Sequence, residues 1–233
     1  METVKKYAHL FFDLDGTLTA QNALIAEPLR FKLAQLSQDL VVVSYSEIAQ
    51  MRYQLQSIPS CFLLARNGSH ALHEKTTLWE DALTALEVSE IEAHIRSLPR
   101  AWSVPDENDL LERTPSHIRY SMYGLHAPPQ KQAEFDPDGS KRHALLRAVP
   151  LRSEKTEVRI FGPTSLEYSR KGFDKGNNIL RLITHQQWNI EDSIYFGDEI
   201  FPGGDDESVY GLMQTQGIRG PDQMLEIVET LFT

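Results

Sequence analysis

Short apolar runs alternate with stretches of helical apolar spacing along the first third of the chain. The run at 8–12 ends in Asp-Leu-Asp-Gly-Thr, which predicts a buried strand entering a glycine turn. From Glu27, Pro28 suits a first helical turn, and Leu29, Leu33 and Leu36 recur at roughly helical spacing. The β-branched run at 40–43 reads as a second buried strand that ends at Ser44-Tyr45-Ser46. Ile48, Met51, Tyr53 and Leu55 then mark another helix. A further apolar run at 61–64 is stopped by Arg66-Asn67-Gly68, a turn. Such alternation predicts right-handed crossovers and a parallel sheet covered on both faces, an α/β architecture.

The middle of the chain has another texture. Residues 80–98 read as a helix, broken by Pro99 and Pro105, and 117–123 reads as a strand closed by Ala127-Pro128-Pro129. Residues 141–149 read as a second helix, and 157–161 with 166–168 as a hairpin around Gly162-Pro163. Strands without crossover helices predict a small antiparallel sheet with two helices, an α+β module. From Gly172 the first texture resumes, with a helix at 177–184, a strand at 193–196 and a helix at 221–232. The expected organisation is one core, 1–82 and 169–233, interrupted by an inserted module at 83–168.

Composition narrows the partners. Among 233 residues, 33 are acidic and 23 are Lys or Arg, a formal net charge of -10, which argues against a nucleic-acid partner. A local pocket in an acidic protein can still be cationic and take a small anion. The single cysteine, Cys61, excludes an internal disulfide framework and suits a reducing compartment. No apolar run approaches the roughly 18 residues of a membrane span, and the start has too short an apolar stretch for a signal peptide. A soluble cytoplasmic protein with no membrane partner is expected, and a homodimer is left open.

Four pieces fall just past strand ends, where open parallel sheets hold ligands. The first strand delivers Asp13 and Asp15, which would share a face if the extended geometry persists. Two such carboxylates repel unless a cation lies between them, and acidic oxygen-rich sites suit Mg2+. Gly16-Thr17 then supplies a tight turn able to hold an anion. Ser44 offers a hydroxyl to a phosphate oxygen. Lys175 stands at a helix start, where the dipole disfavours cations, so an anion shared with the helix terminus is one explanation and capping by Asp174 the other. Phe196-Gly197-Asp198 ends a strand with an acid, and Pro202-Gly203-Gly204-Asp205-Asp206-Glu207 adds an acidic glycine-rich loop. Carboxylates, one lysine, one hydroxyl and a glycine turn make the inventory of metal-assisted phosphoryl transfer. Isolated Asp-x-Asp pairs are mostly turn and cap residues; here the Gly-Thr continuation and the other three pieces favour chemistry. His117, His126 and His143 have no metal-ligand spacing, and Trp79, Trp102 and Trp188 read as core or interface.

In that order FFDLDGTLT, Ser44 after VVV, GFDK and FGDEIFPGGDDE resemble the four motifs of the haloacid dehalogenase-like phosphotransferases. DLDGTLTA, the Arg66-Asn67-Gly68 turn, FDK and GDEIFPGGDDE further resemble the eukaryotic-type phosphomannomutases. The resemblance implies a Rossmann-like three-layer core with a parallel sheet, plus an inserted α+β cap with an antiparallel sheet. It implies Asp13 as nucleophile, Asp15 as general acid and base, and Ser44 and Lys175 as phosphoryl-binding groups. Mg2+ would be held by Asp13, the backbone carbonyl of Asp15 and Asp198, with Asp205 and Asp206 close by. In the cap, Arg113, Arg119 and Ser165 fall near positions that hold the distal phosphate and sugar, and Glu167 near an acid for sugar hydroxyls.

Two departures bear on the reaction. The mutases carry an arginine after a Ser-Pro-Ile-Gly stretch, whereas here Leu125 follows Ser121-Met122-Tyr123-Gly124. Ser44-Tyr45-Ser46 also replaces the usual glycine-bearing turn. A mutase must grip a bisphosphate in two orientations, and leucine cannot replace a bidentate arginine. The expected function is therefore Mg2+-dependent hydrolysis of a sugar phosphate or similar small phosphorylated metabolite. A phosphomannomutase is the alternative, and a non-catalytic phosphate-binding protein the third reading. The cap would close over the crevice, with hinges near 80–85 and 168–172.

Overall fold

The computed structural model describes residues 7–100 and 103–230, so the ends of the chain and Trp102 lie outside the described residues. The first strand, β1 (His9–Asp13), is buried at every position. It is followed by α1 (Glu27–Leu33), with Pro28 in its first turn, then β2 (Asp39–Val43), α2 (Ile48–Leu55) and β3 (Cys61–Ala65). Two strands with no clear apolar signature come next, β4 (His70–His73) and β5 (Thr76–Glu80). The helix expected from residue 80 starts later, as α3 (Ala85–Ser97), because Thr84 and Glu87 form a capping box that fixes its N-terminus.

After α3 come β6 (Leu111–Arg113), β7 (His117–Ser121), α4 (Pro129–Phe135), α5 (Ser140–Ala148), β8 (Thr156–Phe161) and β9 (Ser165–Arg170). The chain then runs through α6 (Lys175–Gln186), β10 (Ser193–Gly197), β11 (Gln214–Gly217) and α7 (Pro221–Glu229). Residues up to Glu80 and from Phe173 onward form one compact unit, and Asp81–Gly172 forms the other.

In the first unit seven strands are ordered β11-β10-β1-β2-β3-β4-β5. Pairing is parallel from β11 to β3, and β4 and β5 add antiparallel strands, so the sheet is mostly but not wholly parallel. Alternate side chains of the central strands point to opposite layers. Phe11, Val41, Val43 and Tyr195 pack with Ile179, Leu182 and Ile183 of α6. Leu10, Phe12, Val42 and Phe196 pack with Leu29 and Leu33 of α1, Met51 and Leu55 of α2, and Met224 and Val228 of α7. Each such buried side chain contributes about 1.5–3 kcal/mol of transfer free energy, so the strand ends carrying the acids rest on a firm platform. Asp13 at the end of β1 faces the α6 layer.

The second unit has four antiparallel strands in the order β6-β7-β9-β8. One face, with Ile118, Tyr120, Leu166 and Tyr168, packs on Ile91 of α3, Phe135 of α4 and Leu145 of α5. The opposite face is polar. Arg119 pairs across the sheet with Glu167, Glu167 with Arg159, and Ser121 with Ser165. Buried Arg142 donates to Asp136 at 2.7 Å and to the carbonyl oxygens of Phe161, Gly162 and Ser165, tying α5 to the β8–β9 turn.

Arg170, the last residue of β9, donates to both carboxylate oxygens of Glu87 at 2.9 and 2.8 Å and to the Ala82 carbonyl at 2.9 Å. These bonds join the two chain segments by which the second unit is entered and left. The Arg170 hydrogen bonds, helped by Thr84 against the opposing effect of burial, pull the Glu87 carboxyl down to about 2. A depressed carboxyl stabilises the fold above its unfolded value of 4.5 and loses that contribution as pH falls toward about 2. Glu87→Gln is expected to lose about 1–3 kcal/mol in urea unfolding at pH 7. The difference from the parent should shrink toward pH 2, and equal stabilities at pH 7 would contradict the role.

Candidate active site

Asp13 is buried at the carboxyl end of β1, between β2 and β10. Its Oδ1 accepts a 2.7 Å hydrogen bond from Lys175 Nζ. Lys175 opens α6 and is only 2% exposed, with Asp174 capping the same terminus through the Asn177 N–H. Its ammonium lies 2.7 Å from Asp13, 2.8 Å from Asp205 and 2.7 Å from Asp206. Three carboxylate oxygens match the three N–H donors of an ammonium. Burial alone would lower the lysine pKa, but the carboxylates outweigh it and hold the group well above its ordinary value. A cation at a helix start is thus explained by what it faces. Capping by Asp174 and ion pairing by Lys175 both occur.

Asp206 is fully buried, and its Oδ1 also accepts a 2.6 Å hydrogen bond from the Tyr195 hydroxyl. Tyr195 stands mid-strand on β10, on the same face as Asp13. Burial, and then the Asp206 charge, push its phenol well above the ordinary range, so it remains a donor. Asp198 follows β10 and is half-buried. Burial first, then Asp206 and Glu199, raise its carboxyl. Asp13 is raised well above its usual range chiefly by burial, opposed by Lys175 and reinforced by Asp206 and Asp205. One oxygen from each of Asp13, Asp198 and Asp206 lies within 4.8 Å of the others.

Glycines make room for this cluster. A Cβ on Gly16, whose φ is +89°, would sit 2.2 Å from Asp198 Oδ2, and one on Gly197 would sit 2.2 Å from Asp206 Oδ2. A buried all-oxygen set, in which charge repulsion and burial oppose ionisation, fits a hard divalent cation such as Mg2+. Burial meanwhile pushes the Cys61 thiol up to about 12, which leaves it inert as a nucleophile.

Asp15 does not stay on the Asp13 face. The strand ends at Asp13, and Asp15 Oδ1 accepts from the Asn22 N–H at 2.7 Å and from Gln54 Nε2 at 2.9 Å. Gln54 belongs to α2, on the opposite layer, so the extended geometry stops one residue too early for both carboxylates to point one way. Gln54 is fully buried, and in the sequence its only mark is a polar residue at helical spacing from the apolar Met51 and Leu55. Ser44, just past β2, is buried, and its Oγ accepts from the Ser46 N–H at 3.0 Å, leaving its own O–H to donate. The Arg66–Gly68 turn braces this loop. Its three residues have φ of 51°, 56° and 88°. The Arg66 and Asn67 N–H groups donate to the Ser46 and Ser44 carbonyls, and Asn178 of α6 donates to the Asn67 carbonyl.

In the second unit Arg119, Ser165 and Glu167 share the polar sheet face. The Arg119 guanidinium lies 4.4 Å from the Phe161 ring centre, and Glu167 Oε1 is 2.6 Å from Arg159 Nη2. No motif in the sequence marks Arg159. Arg113 is not brought to this face. It pairs in register with Ile118, so it lies on the helix-covered side and binds Glu92 of α3 at 2.9 Å.

The fold is an α/β sheet with acids gathered at its strand ends, and comparison with known proteins gives the family. A model of the haloacid dehalogenase-like hydrolases matches residues 10–200, and the chain belongs to this family. The match reaches the family as a whole and does not single out phosphomannomutases. Among solved structures, a haloacid dehalogenase-like hydrolase from Bacteroides thetaiotaomicron is 18% identical, with 97% of this chain and 100% of that one aligned at a TM-score of 0.61. Trehalose-6-phosphate phosphatase of Aspergillus fumigatus is 18% identical over 97% of this chain and 92% of its own, at a TM-score of 0.60. IMP-nucleotidase of Plasmodium falciparum is 10% identical over 98% and 69%, at 0.69. At these identities the likeness is one of fold. Hydrolases of the family generally use Mg2+. Among the described residues no helix is long and apolar enough to cross a membrane.

Proposed function

We propose that the chain is a Mg2+-dependent phosphatase that hydrolyses a sugar phosphate or a similar phosphorylated metabolite. The observation that carries this reading is the buried Asp13 carboxylate at the end of β1, held by Lys175 and gathered with Asp198 and Asp206. Asp13 attacks phosphorus, the ester P–O bond breaks, and the leaving alkoxide takes a proton from Asp15, whose carboxyl must first turn from Asn22 and Gln54 toward the leaving oxygen. Asp15 then takes a proton from the water that attacks the aspartyl-phosphate, which releases phosphate and restores Asp13. Ser44 and Lys175 orient the non-bridging oxygens, with phosphate replacing one of the carboxylates now on the lysine. Asp13, Asp198, Asp206 and the Asp15 carbonyl would hold the cation, which when bound supplies charge neutralisation for the phosphoryl group.

On the second unit, Arg119, Ser165 and Glu167 are assigned to substrate selection, and Arg113 is left to its bond with Glu92. A phosphomannomutase is the second reading, favoured by the two arginines, Arg119 and Arg159, that flank Glu167 on one sheet face and could meet a second phosphate. Leu125 counts against it.

Mannose 6-phosphate and a panel of other sugar phosphates, with and without a hexose bisphosphate activator, separate the two. Inorganic phosphate in Mg2+ and none in EDTA is the result expected of a phosphatase. Mannose 1-phosphate formed only with the activator would make the chain a mutase.

A further inference from the structure

Asp206 carries two hydrogen bonds on one oxygen. Its Oδ1 accepts from Lys175 Nζ at 2.7 Å and from the Tyr195 hydroxyl at 2.6 Å. A carboxylate oxygen offers about two lone-pair positions, so Oδ1 is fully used. Among the described residues Oδ2 has only a long 3.4 Å contact from the Glu199 N–H, and the missing side chain of Gly197 keeps the space beside it open. The lysine is needed by Asp13 and Asp205 as well, whereas the tyrosine hydroxyl is donated to Asp206. Tyr195 otherwise lies among Phe11, Val41, Ile179 and Leu182, where phenylalanine would pack equally well. A buried hydroxyl in that setting has a polar task.

We propose that the Tyr195 hydroxyl is a positioning group that restricts Asp206 to one cation-facing oxygen and thereby favours Mg2+ over Ca2+ at the acidic cluster. The proposal rests on the metal site assigned above. Mg2+ demands near-octahedral geometry with single-oxygen ligands, while Ca2+ accepts carboxylates through both oxygens and takes six to eight ligands. Without the hydroxyl, Oδ1 regains a lone pair and Asp206 can turn to present both oxygens. Groups that orient metal ligands in this way typically matter about 10-fold to 100-fold in affinity.

The test uses Mn2+ as probe, with its bound fraction read by electron paramagnetic resonance on the full chain and displaced by Mg2+ or by Ca2+. Asp198→Asn, which removes a ligand, should lose the bound Mn2+ and so locate the signal. Tyr195→Phe is expected to lower the Mg2+-over-Ca2+ preference about 10-fold, and Tyr195→Met, a second variant lacking the hydroxyl, should do the same if the first fails to fold. Unfolding temperatures in EDTA report the structural cost separately. A purely structural role would weaken both cations alike, so an unchanged preference in a folded variant overturns the inference alone. No bound Mn2+ in the parent chain would overturn the metal-site reading, and the inference with it.

Discussion

Asp13→Asn is expected to lower turnover roughly a thousandfold or more, the scale of loss when a nucleophile acting as a unit with its partners is removed. The same change should leave the chain at least as stable as its parent. Burial holds the Asp13 carboxyl well above its usual range even with Lys175 beside it. A raised carboxyl binds its proton more tightly in the folded state, so its ionised form costs stability above the folded pKa and the cost fades as pH falls. Asparagine removes that charge, and Lys175 keeps Asp205 and Asp206. Urea unfolding in EDTA should therefore find the variant the more stable at pH 8, by a margin that narrows toward pH 4. A variant less stable than the parent at pH 8 would mean that the Lys175 contact outweighs the burial of Asp13.

Lys175→Met should do the opposite, losing both activity and stability. It leaves Asp13, Asp205 and Asp206 facing one another without their cation, and Asp206 is wholly buried. Removing one partner from a buried ion pair costs about 3–5 kcal/mol, because the remaining charge stays unpaired. The raised lysine contributes fully below its ordinary 10.5 and is lost only as pH rises beyond that value, so the wild-type contribution is intact at neutral pH. In the variant the loss should shrink in acid, as the raised Asp13 carboxyl takes up a proton, and on addition of Mg2+, which supplies another positive charge. Unfolding midpoints at pH 5 and 8, with EDTA or Mg2+, check this. A loss under about 1 kcal/mol at pH 8 in EDTA would show that the cluster is not electrostatically tight.

The parts of the fold that were readable are those where the apolar pattern is forced. β1, β2, β3 and β10 are buried on both faces, so each carries an apolar run, ended by Asp13, Ser44, the Arg66 turn and Gly197 respectively. β11 reads Gln-Thr-Gln-Gly and lies at the sheet edge, and β5 at the other edge is largely exposed. Their pairing comes from the neighbouring strand's backbone, which leaves little trace in side-chain type. The start of α3 was written in Thr84 and Glu87, three apart, though helical spacing alone extended it too far back. Within the site, motif order pointed to Asp13, Lys175, Asp198 and Asp206. The divergence of Asp15 toward Gln54 depends on where β1 stops. Strand register, unknowable from one strand alone, puts Arg113 opposite Ile118 and Arg119 opposite Glu167.

The central claim is metal-assisted hydrolysis at Asp13, and phosphate release from a sugar-phosphate panel tests it most directly, in Mg2+ and in EDTA, for the parent and Asp13→Asn. Release by the parent in Mg2+ alone, with one favoured sugar and none from the variant, is the expected result. Release that persists in EDTA or in the variant would contradict the account.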